Sequence, residues 1–579
     1  MNEFIKNGLK KAAETESGNG ALKYSTSLST FVDDFSSMGL YLNRSYEESA
    51  STIQKEWSIC PETALKMLGY LRIITRKENH IHKTKSVQRG QGLRKEYIQR
   101  MMWLASNHPK TFYKNIDIFV EIGSPRDIFA LLRYDFIKNG WQNRELNWNK
   151  MYEVIISLLE NDSTRNLVLK FMPTPRTNSK ATTDVAKANN VIARWISWKM
   201  FPANKSAMKE YRKLKASGTA HTWQRQIAEE QYQDIDFDKV PSGALTMFTH
   251  PRYTVHKLKK ARWSDRKKLV SVPSDGTTFL ERHNLEDKFL EWLDKQEDVN
   301  TTEYPHIILK PLYEVCLGGF RQRNSLPKVT EITVNKKFEK LLKVGKDGVN
   351  TDSRLIAVRD TSGSMSASIP GQNFSAHHVA KSLALYLSQF LEGPFKDAWI
   401  EFNRTAQMHM FEGSTTTEKY LNDESTYVGN TDFLKVANIF VEAKEAGVPE
   451  SEMPTGIVCF SDGEFDPAGN PWRDEKPDHI TNFHAFLEIL RQAGFSKEYV
   501  DNFQIILWDI PNGYYGKPSV KFEDSADAPN FFYISGYDPA VISFLMGGEY
   551  KEKEKKQPKT AEELMQAALD QEILDKLFV

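Results

Sequence analysis

The stretch from residue 354 to residue 365 constrains the fold of this chain more than any other part of the sequence. It reads R-L-I-A-V-R-D-T-S-G-S-M, an apolar run of strand length that ends at Asp360 and turns through small hydroxyl residues. Apolar residues then return at helical spacing between residues 374 and 391. Strand, turn and helix in this order open a parallel α/β unit. Because ligands bind at the carboxyl ends of strands in such sheets, Asp360, Ser362 and Ser364 are candidate site residues.

An Asp-x-Ser-x-Ser turn suits a hard divalent cation, since Mg²⁺ takes oxygen ligands and usually only one or two carboxylates. Two later segments strengthen this interpretation. Residues 429–433 (G-N-T-D-F) form a turn that opens another amphipathic helix. Residues 455–460 (T-G-I-V-C-F) are a second buried strand, which runs into Ser461, Asp462 and Gly463. The alternative is that all of these are ordinary turn and helix-capping residues.

The three loops together resemble the metal-ion-dependent adhesion site of a von Willebrand factor A domain. That family's pattern is D-x-S-x-S, then a loop threonine, then a loop aspartate. The matching residues are Asp360, Ser362, Ser364, Thr431 and Asp462. The resemblance implies a bound divalent cation, with Mg²⁺ preferred and Mn²⁺ or Ca²⁺ as alternatives. It also implies an open coordination position, which a carboxylate of a partner protein fills.

Length and composition predict a folded, multidomain cytoplasmic protein. A chain of 579 residues exceeds what one core usually serves, and 40% of its residues are hydrophobic. No apolar run approaches the roughly 18 residues that a membrane span needs. Residues 1–20 are polar and contain lysines, unlike a secretory signal. The three cysteines are far apart, as expected of reduced thiols.

The net charge of +1 hides a strong asymmetry. Residues 1–350 hold 57 Lys and Arg against 40 Asp and Glu, whereas the remainder holds 20 against 36. The basic part contains two clusters, at residues 80–95 and at residues 251–270, the second with eight basic residues and one aspartate. A cationic region of this kind favours a polyanionic partner, although most charge runs are simply solvated faces.

Apolar residues at helical spacing run through most of the basic part. We therefore predict an N-terminal tail (1–25), an all-α helical array (26–345) and a three-layer α/β domain with a mostly parallel sheet (353–547). A charged linker and a C-terminal amphipathic helix over residues 560–579 complete the chain (548–579). A terminal amphipathic helix most often docks on its own protein, and binding another subunit is the alternative.

A helical N-terminal region joined to a metal-site A domain is similar to the layout of the Ro autoantigen, whose TROVE module is a ring of HEAT-like helices. The sequence most resembles a related family found in bacteria, viruses and some eukaryotes. That resemblance covers most of residues 25–547. It is carried by residues 89–94 (R-G-Q-G-L-R), 121–127 (E-I-G-S-P-R-D), 239–242 (K-V-P-S) and 461–467 (S-D-G-E-F-D-P). The sequence leaves open whether the helices close into a ring, and it does not indicate the oligomeric state.

The resemblance implies RNA binding, to structured RNA or to single-stranded ends. The candidate contacts are the basic residues of the two clusters: Lys83, Lys85, Arg89, Arg94, Lys95, Lys257, Lys259, Lys260, Arg262, Arg266, Lys267 and Lys268. Such residues neutralise phosphates and release counterions, so RNA affinity should fall steeply with salt. Gly90 and Gly92 either form a plain turn or let the backbone approach a phosphate.

These observations predict a non-catalytic RNA-binding scaffold whose α/β domain docks a protein partner through a divalent cation. The alternative is a protein-interaction or structural assembly module that binds no nucleic acid. The chain lacks a Walker phosphate loop, an H-E-x-x-H motif and a G-x-S-x-G elbow, which argues against an enzyme. A metal-dependent hydrolase remains a third hypothesis, and it predicts turnover that Asp360→Ala abolishes.

Overall fold

The computed structural model describes residues 14–16, 22–24, 27, 29–76, 88–176, 181–202, 205–218, 222–250, 254–260, 267–273, 277–296, 303–317, 326–346, 349, 353–369, 372–403, 405–423, 432–462, 482–510, 530–537, 541–542, 546 and 560–579. Within these, only the backbone is described at residues 14–16, 22–24, 75–76, 88–89, 222, 242, 254–260, 267–273 and 482. The chain packs as two compact units. The helical unit comprises Leu28–Gln224 and Glu562–Val579, and the sheet unit comprises Met1–Ser27 and Arg225–Ala561.

The helical unit is built from short and medium helices joined by tight turns. They are α1 (Thr30–Ser37), α2 (Tyr46–Ile59), α3 (Pro61–Arg72), α4 (Arg94–Asn107), α5 (Pro109–Lys114), α6 (Ile116–Ile122), α7 (Pro125–Asn139), α8 (Trp148–Glu160), α9 (Asp162–Phe171), α10 (Asp184–Met200) and α11 (Ala207–Ser217). The next helix, α12 (Thr222–Ala228), contains the boundary between the two units. A capping box between Ser45 and Glu48 begins α2. Three of the helices begin with proline, whose missing amide costs nothing at that position.

The C-terminal segment packs back onto the helical unit. Leu574 and Leu577 are buried, and a Cβ added to Gly69 in α3 would lie 2.4 Å from Leu574 Cδ2. The side chain of Asn115 holds the backbone of Phe578, donating to its carbonyl at 2.6 Å and accepting from its amide at 3.1 Å. The segment therefore docks on its own chain through both apolar packing and backbone hydrogen bonds.

The terminal segment is not the single helix that the apolar stripe predicted. It forms two short helices, Ala561–Leu569 (α24) and Glu572–Asp575 (α25). Between them Gln571 is extended, with φ −130° and ψ 134°. Its buried side-chain amide donates to the carbonyl of Ala568 at 2.7 Å. This bond ends the first helix and redirects the chain, which the periodicity alone does not reveal.

We expect Leu574→Ala to destabilise the helical unit by about 3 kcal/mol, because it removes a fully buried side chain from a close contact with α3. Glu572→Ala, an exposed position on the same short helix, should change the free energy of unfolding by less than about 0.5 kcal/mol. Urea unfolding of the two variants measures both values. Equal, small effects would show that the terminal segment contributes little to the unit.

In the sheet unit a second set of helices precedes and surrounds the sheet. They are α13 (Ser242–Thr249), α14 (Phe279–Arg282), α15 (Glu286–Lys295), α16 (Pro305–Ile308), α17 (Lys310–Leu317), α18 (Lys328–Lys346), α19 (Ala376–Ser388), α20 (Thr416–Asn422), α21 (Lys435–Glu445), α22 (Asn482–Gln492) and α23 (Lys497–Asn502). Among the helices that the structure describes in either unit, none is long and apolar enough to cross a membrane.

The central sheet has six strands: β7 (Leu355–Asp360), β8 (Ala398–Phe402), β9 (Ala406–Met410), β10 (Gly456–Ser461), β11 (Gln504–Asp509) and β12 (Phe531–Ser535). Their order across the sheet is β12-β11-β10-β7-β8-β9. All neighbours are parallel except β8 and β9. Every strand except β9 is buried along its whole length, as expected when helices cover both faces. A helical region followed by a mostly parallel α/β domain is thus confirmed.

The predicted helical region (26–345) is mainly helical, but it also contains two antiparallel strand pairs, β3 (Ile74–Arg76) with β4 (Gln88–Gln91) and β5 (Thr254–Lys260) with β6 (Lys267–Pro273). A third pair, β1 (Glu14–Glu16) with β2 (Leu22–Tyr24), lies in the predicted N-terminal tail. The β5–β6 hairpin carries much of the second basic cluster. A run of lysines masks strand alternation in the sequence, because charge dominates the pattern at those positions.

Candidate functional site

Asp360 is the last residue of β7, at the centre of the sheet. The chain passes from β7 to β8 on one side, whereas β10 later joins β7 on the other side. The strand order therefore reverses between β7 and β10, and this is where open α/β sheets bind ligands. The carboxyl end of β10 brings Ser461 and Asp462 to the same edge.

The Asp360 carboxylate is held by two short hydrogen bonds. The Ser461 hydroxyl donates to Oδ2 at 2.6 Å, and the backbone amide of Ser362 donates to Oδ1 at 2.8 Å. The hydroxyls of Ser362 and Ser364 lie 3.1 Å apart. The structure thus brings Asp360, both serines and the end of β10 into one cluster, as the motif predicted for these residues.

The cluster concentrates negative charge away from water. Asp360 is fully buried and Asp462 is 5% exposed. Burial, and then the charge of Asp462, raises the pKa of Asp360 to about 7, although the hydrogen bonds from the two serines work in the opposite direction. The neighbouring cation on β7, Arg359, does not offset the negative charge of Asp360 and Asp462. Because side chains alternate along a strand, Arg359 lies on the other face of the sheet, where it pairs with Asp423 at 2.8 Å.

Two buried carboxylates with serine hydroxyls beside them fit a hard divalent cation, because a cation would offset the repulsion that otherwise raises the pKa of Asp360. The described residues contain no group of three or more His, Cys, Asp or Glu side chains placed to hold a metal ion. A cation at Asp360 would therefore depend on hydroxyls and water as well as on the two carboxylates. Thr431, the remaining predicted ligand, lies outside the described residues.

Asn403, which the sequence patterns did not single out, connects the surroundings of the cluster. Its side-chain amide donates to the hydroxyl of Thr361 at 3.0 Å, and its backbone carbonyl accepts from the backbone amide of Asp432 at 3.1 Å. It therefore ties the turn after β7 to the residue that follows Thr431. No local pattern marks Asn403, since its role depends on three segments that are far apart in the chain.

The predicted RNA contacts are described to different extents. Lys83, Lys85, Arg262 and Arg266 lie outside the described residues, and for Arg89, Lys257, Lys259, Lys260, Lys267 and Lys268 the backbone alone is described. In the β5–β6 hairpin Lys259 pairs with Lys268 and Lys260 with Lys267. Like charges at directly opposite positions oppose strand pairing. This hairpin is thus an unusually cationic element of the sheet unit.

The remaining two predicted contacts, Arg94 and Lys95, begin α4 in the helical unit. The loop before them is compact, because a Cβ at Gly90 would lie 2.2 Å from the carbonyl oxygen of Tyr70. Gly92 has φ +69° and its amide donates to the carbonyl of Ile73 at 2.8 Å. Gly90 therefore allows β4 to pack closely against the backbone of Tyr70, and Gly92 takes the left-handed conformation at the turn that follows the strand.

Two family models match parts of this chain, and each describes a domain of unknown function. DUF7788 matches residues 354–576, and DUF2828 matches residues 17–217. Neither covers half of the chain, and neither description mentions the Ro or von Willebrand factor A family. The first match begins at the start of the sheet domain, and the second covers most of the helical unit.

Among solved structures, the chain is similar to the Deinococcus radiodurans RO (RSR) protein. The identity is 11%, and the match covers 87% of this chain and 94% of that protein, with a TM-score of 0.37. At so low a TM-score, the similarity supports no conclusion about the function of this chain. Comparison with curated proteins gives no match.

Proposed function

We propose that this protein is a non-catalytic RNA-binding scaffold whose sheet domain docks a protein partner through a divalent cation. The observation that carries the proposal is the buried Asp360–Asp462 pair at the switch point of the sheet. A site that places two carboxylates and two serine hydroxyls at a ligand-binding edge is built for a cation. The protein's part in binding is to hold these oxygens in place.

A bound cation would supply Lewis-acid attraction for a carboxylate of the partner. The residues of the chain do the rest. Ser461 and the Ser362 amide orient the Asp360 carboxylate, and Asn403 fixes the turn that follows it. Both bonds to Asp360 come from neutral donors, which hold the carboxylate without moving a proton. That arrangement supports docking through a carboxylate held in a fixed orientation.

The RNA-binding half of the proposal is supported by charge. Residues 1–350 carry 57 basic and 40 acidic residues, and the β5–β6 hairpin opposes lysine to lysine in two successive pairs. Phosphates would relieve that repulsion and release counterions. The alternative, an assembly module without nucleic acid, retains the cation site but leaves the cationic hairpin without a role.

Reversing four charges on the hairpin tests the RNA-binding half. We expect the variant Lys259→Glu, Lys260→Glu, Lys267→Glu, Lys268→Glu to bind a short single-stranded RNA at least about tenfold more weakly. The slope of log affinity against log salt should flatten by up to about 3, since each lost phosphate contact removes roughly 0.7. Titrations at several salt concentrations measure both quantities.

The matched control reverses the charge of four exposed lysines elsewhere in the sheet unit by replacing each with glutamate: Lys295, Lys328, Lys343 and Lys396. It changes the net charge by the same amount and should lose less affinity and less of the salt slope. An equal loss in both variants would mean that RNA responds only to the overall charge. Absence of RNA binding by the unaltered protein at low salt would favour the assembly module.

A further inference from the structure

Two of the sequence motifs meet in the helical unit around one carboxylate. Asp127, in the first turn of α7, is 3% exposed. Its Oδ2 pairs with Arg72 Nε at 2.8 Å, and its Oδ1 pairs with Arg94 Nε at 2.6 Å. Residues 89–94 and 121–127 are thus joined by an ion pair, and Asp127 is already shared between two guanidinium groups.

Two further arginines on α7 add positive charge that this carboxylate does not balance. Arg126 is exposed and Arg133 is half-buried. A terminal nitrogen of Arg94 donates to the carbonyl of Arg126 at 3.2 Å, which places the two residues side by side. Arg133 donates only a long bond, 3.4 Å, to the amide oxygen of Asn189. Among the described residues, neither Arg126 nor Arg133 has an ion pair with a carboxylate.

The electrostatics show that this cluster is overloaded with positive charge. Burial, and then repulsion from Arg94 and Arg126, lowers the pKa of Arg133 to about 10. Burial, and then the charge of Arg94, also lowers the pKa of Arg126. Arg72 and Arg94 share the carboxylate of Asp127, and Arg126 and Arg133 have no ion pair with a carboxylate among the described residues, so an added anion would be stabilised here. The fork of an arginine guanidinium matches the paired oxygens of a phosphate, whereas a halide ion offers no such pair of acceptors.

We propose that Arg94, Arg126 and Arg133 form a binding site for a phosphate group, supplied by the backbone of an RNA. This assignment rests on the proposed RNA-binding function and extends it to the helical unit. Arg126 and Arg133 are seven residues apart and share one face of α7. Arg72 and Asp127 act as positioning residues, because their ion pair fixes the guanidinium of Arg94.

An aromatic ring at the edge of the cluster supports RNA as the source of the phosphate. The guanidinium of Arg126 lies 5.7 Å from the centroid of the Phe171 ring, and Lys170 Nζ lies 5.5 Å from it. Phe171 is partly exposed. A ring flanked by cations is the combination on which unpaired bases stack while their phosphates are neutralised.

The test is the double variant Arg126→Gln, Arg133→Gln in the full-length chain. Its control, Arg165→Gln, Arg212→Gln, removes two exposed arginines of the same unit. We expect the first variant to bind short single-stranded RNA about tenfold more weakly and to lose roughly 1.4 from the salt slope, at about 0.7 per contact. The control should lose clearly less. Equal losses in the two variants would overturn the proposal.

A second measurement separates this site from the proposed function. Inorganic pyrophosphate at constant ionic strength should raise the melting temperature of the unaltered protein and of the control, but not of Arg126→Gln, Arg133→Gln. A rise in all three overturns the site. If the unaltered protein binds no RNA and the pyrophosphate effect still depends on these arginines, the site binds free phosphate compounds, and RNA as the source is overturned. If RNA binding persists undiminished in the arginine variant, the scaffold function stands without this site.

Discussion

Replacing Arg100 by methionine is expected to destabilise the helical unit by about 4 kcal/mol. Arg100 is fully buried in α4 and contacts three buried carboxylates. It forms a forked pair with Asp34 at 2.7 and 2.9 Å, and it lies 3.3 Å from Glu56 and 2.9 Å from Glu96. Methionine fills similar space but leaves these acids without their shared cation, and an uncompensated buried charge is costly.

The pKa shifts of Asp34 and Glu56 show how these two acids depend on their surroundings. Burial works to raise the pKa of Asp34, but the charge and hydrogen bonds of Arg100 hold it below its usual range. Burial, and then the charge of Asp34, raises the pKa of Glu56 well above its usual range, although the charge of Arg100 lowers it. Without Arg100 the charge on Asp34 loses its main source of stabilisation.

Urea unfolding compares Arg100→Met with Arg44→Met. Arg44 also pairs with Glu96, at 3.1 Å, but its side chain is 18% exposed. Its loss should cost less than that of Arg100, because Glu96 keeps its ion pair with Arg100. Adding Asp34→Asn to Arg100→Met should recover part of the stability, because it removes the buried Asp34 charge that no longer has Arg100 as its partner. Equal effects of the two single arginine variants would contradict this account of the cluster.

The second large effect is expected at the proposed cation site. We expect Mg²⁺ to raise the melting temperature of the unaltered protein, and Asp360→Asn should abolish that rise. At a Mg²⁺ concentration of 100 Kd that rise corresponds to about 2.7 kcal/mol. Asparagine keeps the size of the side chain and can still accept from the Ser362 amide, so the fold should persist. A Mg²⁺ response that survives in the variant would place the cation elsewhere.

The control for this variant is Asp501→Asn, which removes an exposed carboxylate of the sheet unit that pairs with Lys497. It changes the charge equally and should leave the Mg²⁺ response intact. Differential scanning fluorimetry with Mg²⁺ and with a chelator measures all three proteins. Repeating the titration with Mn²⁺ and Ca²⁺ identifies the preferred ion.

The Mg²⁺ response should also depend on pH. The pKa of Asp360 is raised from 3.8 to about 7, so in chelator its charging costs folded stability progressively as the pH rises from about 4 to 7. A cation must displace the proton from this carboxylate, and the stabilisation by Mg²⁺ should therefore grow between pH 6 and pH 8. Asp360→Asn removes both trends. A response that does not change with pH would show that Asp360 is already ionised without the cation.

The sheet was predictable because its buried strands are continuous apolar runs that end in polar turns. The run before Asp360 became β7 (Leu355–Asp360), and the run before Asp462 became β10 (Gly456–Ser461). β9 (Ala406–Met410) was missed, since it is a half-exposed edge strand whose residues follow no apolar pattern. Local pattern thus locates strands that are buried on both faces and loses those at the edge.

The candidate sites divide in the same way. The residues of the cation cluster lie close together in two loops, so a short motif could reveal them. Of the proposed phosphate-binding arginines on α7, Arg126 lies in the 121–127 motif, but Arg133 lies in none of the sequence motifs. The charge runs that drew attention to RNA contain neither. Arg126 meets Arg94 only when α7 packs beside the start of α4, and this contact is not visible in the sequence.

The return of the C-terminal segment to the helical unit has a consequence for synthesis of the chain. The helical unit begins at Leu28 but also contains Glu562–Val579, so the larger part of the sheet unit, Arg225–Ala561, is an insertion within it. While a ribosome translates the insertion, the apolar surface of α3 that Leu574 later covers stays exposed. During that time it can bind chaperones or pack against the wrong partner. A nascent chain that stops between Ala561 and α25 can hold a finished sheet unit while its helical unit is still unfinished.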